Sequence, residues 1–341
     1  MKRKSVRILL GIFLVLVGFI LPIHANEESN YFVRAELPEN QINQNKSYFD
    51  LLVKPGTKQI LVVRVFNTSD ESIDVKAKIT NAATNTNGTI MYTTEGIEDS
   101  SMVISIEDIA QLKTDSLTIE AQSSSIFEIE LALPDKKFRG VLLGGIVIEA
   151  DTATKSKADN EQNSIQIENK LTYVIGLKLQ EDLDTVVVPN INYLGTDVLL
   201  HDISTAVGIR LQNSEAIIMK GVQVNAEIYR KGSKTVLYEY HNAAVEIAPN
   251  SAFDVAVVWG NEKLQEGTYR LKLRVQYKDY DWEWDEEFEI EFEKAAAVNQ
   301  EAINIKVKVP NWIYFFIGTL LVIVLFVTAF SLGRVSKKSG H

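Results

Sequence analysis

The chain has 341 residues, 45 acidic and 35 basic, for a formal net charge of −10; it contains no cysteine and four histidines. That length accommodates about two domains, and the composition excludes disulfide scaffolds, thiolate metal sites, a cysteine nucleophile and a multi-histidine metal centre. Acidity also opposes nucleic acid as a partner, because polyanion binders carry basic patches.

At the N-terminus, Lys2, Arg3, Lys4 and Arg7 precede an apolar run from Ile8 to Leu21, and Ile23-His24-Ala25 follows. This order predicts a secretory signal over residues 1–25, cut after Ala25. The alternative, an uncleaved anchor, is disfavoured because a bilayer span needs about 20 apolar residues.

The region beyond it reads as β throughout. Ile60–Phe66 is almost continuously apolar and predicts a central strand. Ile73–Thr80, Phe127–Leu133, Val222–Ile228 and Tyr269–Tyr277 alternate apolar and polar with period two, which predicts half-buried strands. Turn residues separate the runs, as at Lys54–Gly56, Asn67–Asp70, Lys231–Ser233 and Ala248–Asn250. Ser105–Leu112 predicts one short helix. Three sequons, at Asn45, Asn67 and Asn87, are read as turn residues.

The pattern occurs twice. A buried strand ends at Asn67 and again at Asn213, a polar turn opens a strand at Ser125 and again at Ser251, and a glycine opens an apolar strand at Gly140 and again at Gly267. Repetition of a unit of about seven strands predicts an all-β protein of two tandem immunoglobulin-like sandwiches, over residues 27–183 and 186–293. The polar stretch Asp151–Ser164 reads as a long hairpin loop, with the boundary near Glu181–Pro189. Residues 294–310 read as a stalk.

The stalk leads to Trp312–Leu332, an uncharged run that spans about 31 Å as a helix, the thickness of a bilayer core. It predicts a single transmembrane helix with residues 333–341, including Arg334, Lys337 and Lys338, as the cytoplasmic flank. No LPxTG precedes the run, so the chain is expected to stay in the cell membrane. Between the two basic ends lie 28 basic and 45 acidic residues. An exported domain without cysteine suits a Gram-positive surface.

No catalytic motif emerges: the chain lacks GxSxG, a Walker-type loop, HExxH and an ectodomain SxxK. His201 and His241 are read as surface residues, and no metal or cofactor is expected. In Asp281–Glu293 the odd positions are all acidic, and Trp282, Trp284, Phe288, Ile290 and Phe292 fall on even ones. As a strand this is a charge-guarded edge, with the tryptophans in the core; a face for a basic partner is the alternative.

Pro38–Gln41, Tyr48–Gly56, Asn87–Tyr92, Gly140–Ile146, Tyr173–Leu179, Pro249–Trp259 and Gly267–Leu273 together resemble the WxL-interacting proteins, membrane-anchored surface proteins of Gram-positive bacteria. The resemblance runs the length of the chain and implies a non-enzymatic scaffold. In that family the first domain is described as binding peptidoglycan and the second as binding host matrix components, beside WxL-domain partners. The chain itself has no Trp-x-Leu pair. A generic host-matrix adhesin and a wall-active glycosidase are the alternatives. Peptidoglycan offers sugar faces, hydroxyls and amides, which rings and amide or carboxylate side chains recognise. On that chemistry Tyr31, Asn40, Gln41, Tyr48 and Asp50 are the expected wall-binding residues.

Overall fold

The computed structural model describes residues 30–92, 99–151, 171–303, 305, 312, 315–316 and 318–324. The expected signal and the cytoplasmic tail lie outside these. Of the expected membrane segment, residues 312, 315–316 and 318–324 are described, and they are helical. Among the described residues no helix is long and apolar enough to cross a membrane. The chain forms two compact units. One joins the chain up to Asn81 with Ile104–Asp184; the other joins Ala82–Val103 with the chain from Thr185 onward.

The first unit begins with β1 (Tyr31–Glu36), β2 (Phe49–Leu52), β3 (Lys58–Asn67) and β4 (Ile73–Asn81). The chain then passes into the second unit, where it forms the short strands β5 (Ala83–Thr84) and β6 (Ile90–Met91). It returns with α1 (Ile106–Ile109), β7 (Ala110–Leu112), β8 (Ser116–Ile119), β9 (Ser124–Ala132), β10 (Leu142–Asp151) and β11 (Thr172–Gln180). One layer is ordered β1-β3-β9-β7 and the other β2-β11-β10-β4-β8. Alternation decides which side chains fill the space between them: Phe127, Ile129 and Leu131 of β9 and Ile73 and Val75 of β4 point in. Each such buried side chain stabilises the fold by about 1.5–3 kcal/mol. The helix expected over Ser105–Leu112 is a single turn. Ser105 Oγ accepts from Asp108 N at 3.1 Å and Asn81 Oδ1 from Ile106 N at 2.8 Å, so two otherwise orphaned donors are satisfied. Gly144 in β10 has to be glycine, because a Cβ there would strike the Thr80 carbonyl and lie 2.8 Å from Ile106. The expected loop Asp151–Ser164 lies, from residue 152 on, outside the described residues; the strands before and after it, β10 and β11, pair antiparallel from Leu142↔Leu179 to Glu149↔Thr172.

The second unit continues with β12 (Ile191–His201), β13 (Ser204–Asn213), β14 (Met219–Arg230), β15 (Val236–Ile247), β16 (Ser251–Val258), β17 (Gly267–Tyr277), β18 (Tyr280–Ile290) and α2 (Phe292–Glu301). A three-stranded layer β12-β13-β16 faces a four-stranded layer β15-β14-β17-β18, an immunoglobulin-type division of seven strands. Two elements differ from the sequence reading. The expected stalk begins as α2, which docks through buried Ala295 and through Asn299, whose amide exchanges bonds with the backbone N and O of Leu264 at 2.8 and 3.0 Å. In addition, residues 82–92 and 99–103 pack on this unit: Thr84 Oγ1 accepts from Ala248 N at 2.9 Å, Gly88 O from Glu246 N at 2.8 Å, and Gln212 Nε2 donates to Asp99 at 2.9 Å.

The internal repeat is visible as one clasp built twice. Asn67 donates to the carbonyls of Glu71, Ile119 and Glu120 and accepts from Ser69 N and Oγ. Asn213 donates to the carbonyls of Ile217 and Ala248 and accepts from Glu215 N. Both side chains are buried, at 2% and 0% exposure. Ser123 Oγ bonds Glu120 O and Ser251 Oγ bonds Ala248 O, each at 2.8 Å. Gln122 and Asn250, just before those serines, both hold positive φ, at 53° and 46°. The structural counterpart of Ser251 is thus Ser123, two residues from the expected Ser125.

Candidate functional site

Of the five expected wall-binding residues, three face inward. Tyr31 is 1% exposed; its hydroxyl donates to the carbonyls of Ile148 and Leu171 and accepts from Ala150 N at 3.2 Å. Burial pushes its pKa up, against the Ala150 hydrogen bond. Gln41, 7% exposed, ties its loop together: Nε2 donates to Asn43 O and Tyr48 O at 3.1 and 2.9 Å, and Oε1 accepts from Asp50 N at 3.0 Å. Asp50 is buried, with Lys178 Nζ 3.0 Å from Oδ1, near enough to pair but off the hydrogen-bonding direction. Asn40 donates to Leu52 O at 3.0 Å, and Tyr48 is half-buried with Lys46 Nζ 6.0 Å above its ring. These contacts organise the entry to β2. A ring held in the core, as Tyr31 is, offers no face to a sugar.

The neighbouring parity of β1 is the exposed one. Phe32, Arg34 and Glu36 point outward and lie opposite Phe66, Arg64 and Val62 of β3. In turn Phe66, Arg64 and Val62 lie opposite Ser124, Ile126 and Glu128 of β9. Phe32 and Phe66 stack in parallel with centroids 4.5 Å apart and an 11° tilt, and Phe32 is 38% exposed. The Arg34 guanidinium lies 5.5 Å over Phe66. Arg64 Nε donates to Glu36 at 2.8 Å. Lys113 pairs with Glu128 at 3.0 Å and Lys58 with Glu130 at 3.2 Å. The sequence signal for this face is the outward alternation Phe32-x-Arg34-x-Glu36, and Tyr31 lies on the opposite parity.

In the second unit, the charge-guarded edge takes the form of ion pairs. β18 is the edge strand of its layer, and Arg274 pairs with Asp281 and Glu283, Arg270 with Asp285, and Lys231 with Glu287. Hydrogen bonds from Arg274 and Arg270 hold the carboxyls of Asp281 and Asp285 below their usual range. The acidic face is shorter than expected, because the strand ends at Ile290 and Glu293 lies in α2. Trp282 and Trp284 are half-buried against the core. On β15, Tyr238 stacks on Trp259 at 3.9 Å, and burial together with the Glu262 charge raises its pKa to about 12. A groove of about 650 Å³ lies beside α2, lined by Arg230, Gln265, Phe292 and Asn299 among others. Arg230 is taken up by Gln265 at 2.7 Å and Asn299 by Leu264. Among the described residues no group of His, Asp or Glu could hold a metal ion.

Comparison with family models gives two matches in sequence order. Residues 31–150 match the peptidoglycan binding domain of the WxL Interacting Protein, and residues 162–300 match its host binding domain. Binding domains of this one class account for most of the chain. The chain belongs to the WxL-interacting protein family. Comparison with curated proteins returns no match. Among solved structures, the chain is similar to a chaperone–tip adhesin complex of CFA/I fimbriae biogenesis (14% identity, 77% of this chain and 99% of that one, TM-score 0.30). It is also similar to the CsuC–CsuE chaperone–tip subunit complex of Acinetobacter baumannii (8%, 67% and 91%, TM-score 0.31). A third is the PapD-like domain 7 of human CEP192 (11%, 48% and 92%, TM-score 0.28). At these scores the likenesses carry nothing further.

Proposed function

We propose that this protein is a non-enzymatic scaffold anchored in a bacterial cell membrane, whose first unit holds peptidoglycan and whose second engages a host matrix component, beside a WxL-domain surface protein. The observation that carries this reading is the tandem of two binding-domain matches on one chain. Residues 1–25 direct export and are removed, residues 312–332 span the bilayer, and 333–341 stay inside. Supporting the anchor, the described helical positions Trp312, Phe315, Phe316 and Leu320 are 63%, 75%, 70% and 61% exposed, a surface that favours lipid over water.

The test uses the full-length protein solubilised in mild detergent from its own membranes. It should pellet with purified peptidoglycan sacculi and co-purify with a WxL-domain protein. Release of the chain from membranes by alkaline carbonate would overturn the anchor, and failure to pellet would overturn the wall-binding role.

A further inference from the structure

We propose that the outer face of the layer β1-β3-β9 is the peptidoglycan site, with Phe32, backed by Phe66, as the platform for a sugar ring and Arg34 as the receptor for a stem-peptide carboxylate. This rests on the wall-binding reading above and gives it a location.

The charges on this face do not cancel. Three carboxylates lie on it, and each has its own cation: Glu36 with Arg64, Glu128 with Lys113, Glu130 with Lys58. Arg34 has no ion pair among the described residues: Arg64, its partner across the strands, turns to Glu36, while the Arg34 guanidinium leans the other way over Phe66. The face therefore carries one cation in excess, a charge that a bound anion would offset. It stands out in a chain of net charge −10.

Beside the cations lies the apolar part. Phe32 and Phe66 are stacked on the solvent side of an antiparallel sheet, where polar residues are usual. Stacking uses one face of each ring and Arg34 lies over Phe66, so the open face is that of Phe32, backed by Phe66 and held flat for a sugar ring. Arg34, lying over Phe66, holds its planar fork next to that platform. A ligand carrying a sugar face and a carboxylate a few ångströms apart fits both groups, and peptidoglycan repeats that pair along its length. All six residues Phe32, Arg34, Glu36, Arg64, Phe66 and Ser124 fall within the matched peptidoglycan-binding segment.

The experiment is sedimentation of the detergent-solubilised full-length chain with sacculi freed of anionic polymers, comparing the unmodified protein, Arg34→Gln, and Phe32→Ser with Phe66→Ser. All the changes are on the solvent side, and thermal unfolding checks that each variant stays folded. Each variant should bind about tenfold more weakly, the loss expected for one charge-assisted contact or one ring platform. On sacculi stripped of stem peptides by an amidase, Arg34→Gln should match the unmodified protein while the double phenylalanine variant stays weak. If the unmodified chain pellets and both variants pellet equally well, the site is elsewhere though the wall-binding role stands. If the unmodified chain itself does not pellet, that role and this site both fall.

Discussion

Replacing Asn67 with alanine should cost the first unit about 4 kcal/mol, four hydrogen bonds at about 1 kcal/mol each. The amide has two hydrogens for three carbonyls, those of Glu71, Ile119 and Glu120, so two full bonds are available. The oxygen has two lone pairs, used by Ser69 N at 2.9 Å and Ser69 Oγ at 2.7 Å. At 2% exposure, water cannot replace the lost amide without rearrangement. Asn67→Asp is the sharper test, because it keeps the acceptor and sets a carboxylate against three carbonyl oxygens. It should destabilise more than alanine does. Urea unfolding followed by intrinsic fluorescence and circular dichroism reads both; with a slope of about 1–3 kcal/mol per M, the alanine midpoint should fall by more than 1 M. Asn213→Ala should lower the other unit by somewhat less, since its amide makes fewer contacts. A loss below about 1 kcal/mol for Asn67→Ala, or an aspartate variant as stable as the parent, would refute the clasp as a source of stability.

Three further outcomes follow from the same structure. A fragment ending at residue 150 should not fold, because it lacks β11 and with it buried Ile175, Leu177 and Leu179, roughly 5–9 kcal/mol of burial against a typical total of about 5–15 kcal/mol; a dispersed amide spectrum from residues 31–150 would contradict this. Gly144→Ala should destabilise the first unit by about 1–3 kcal/mol through overpacking against the Thr80 carbonyl and Ile106, measured by thermal unfolding. At high pH, Tyr238 should weaken the second unit: its folded pKa is raised to about 12 from an ordinary value of 10.0, so the unfolded chain loses its proton first and stability declines as pH rises from 10 toward 12 and beyond. Tyr238→Phe should flatten that alkaline decline, and an unchanged decline would remove Tyr238 as its cause.

Strands with one wet face were legible in the sequence, because period-two alternation is local. β4, β14 and β17 contain the runs that announced them, and β9 contains all of its run but Leu133. What was not legible depended on distant partners. Tyr31 and Phe32 are adjacent aromatics, and the local pattern gives no reason to prefer one parity. The choice is made by the carbonyls of Ile148 and Leu171, more than a hundred residues away, which take the Tyr31 hydroxyl. Likewise nothing periodic marks residues 82–103; their place follows from Thr84 meeting Ala248 N and Asp99 meeting Gln212. By contrast α2 was readable and missed, since Lys294-Ala295-Ala296-Ala297 is a run of strong helix formers.

The family matches divide the chain between residues 150 and 162, inside the polar hairpin connection, whereas the contacts divide it between Asp184 and Thr185. The two divisions answer different questions. The gap between the two family matches falls on the polar stretch Asp151–Ser164. A folded unit cannot be cut there, because eight residue pairs join β10 to β11, and β2 then adds to β11 in parallel. So β11, matched to the host-binding family, completes the sandwich of the peptidoglycan-binding one. Residues 82–103, matched to the peptidoglycan-binding family, complete the other. Each family segment therefore supplies a piece that belongs to its neighbour's unit. The two matched segments are in that sense interlaced in the fold and not laid end to end.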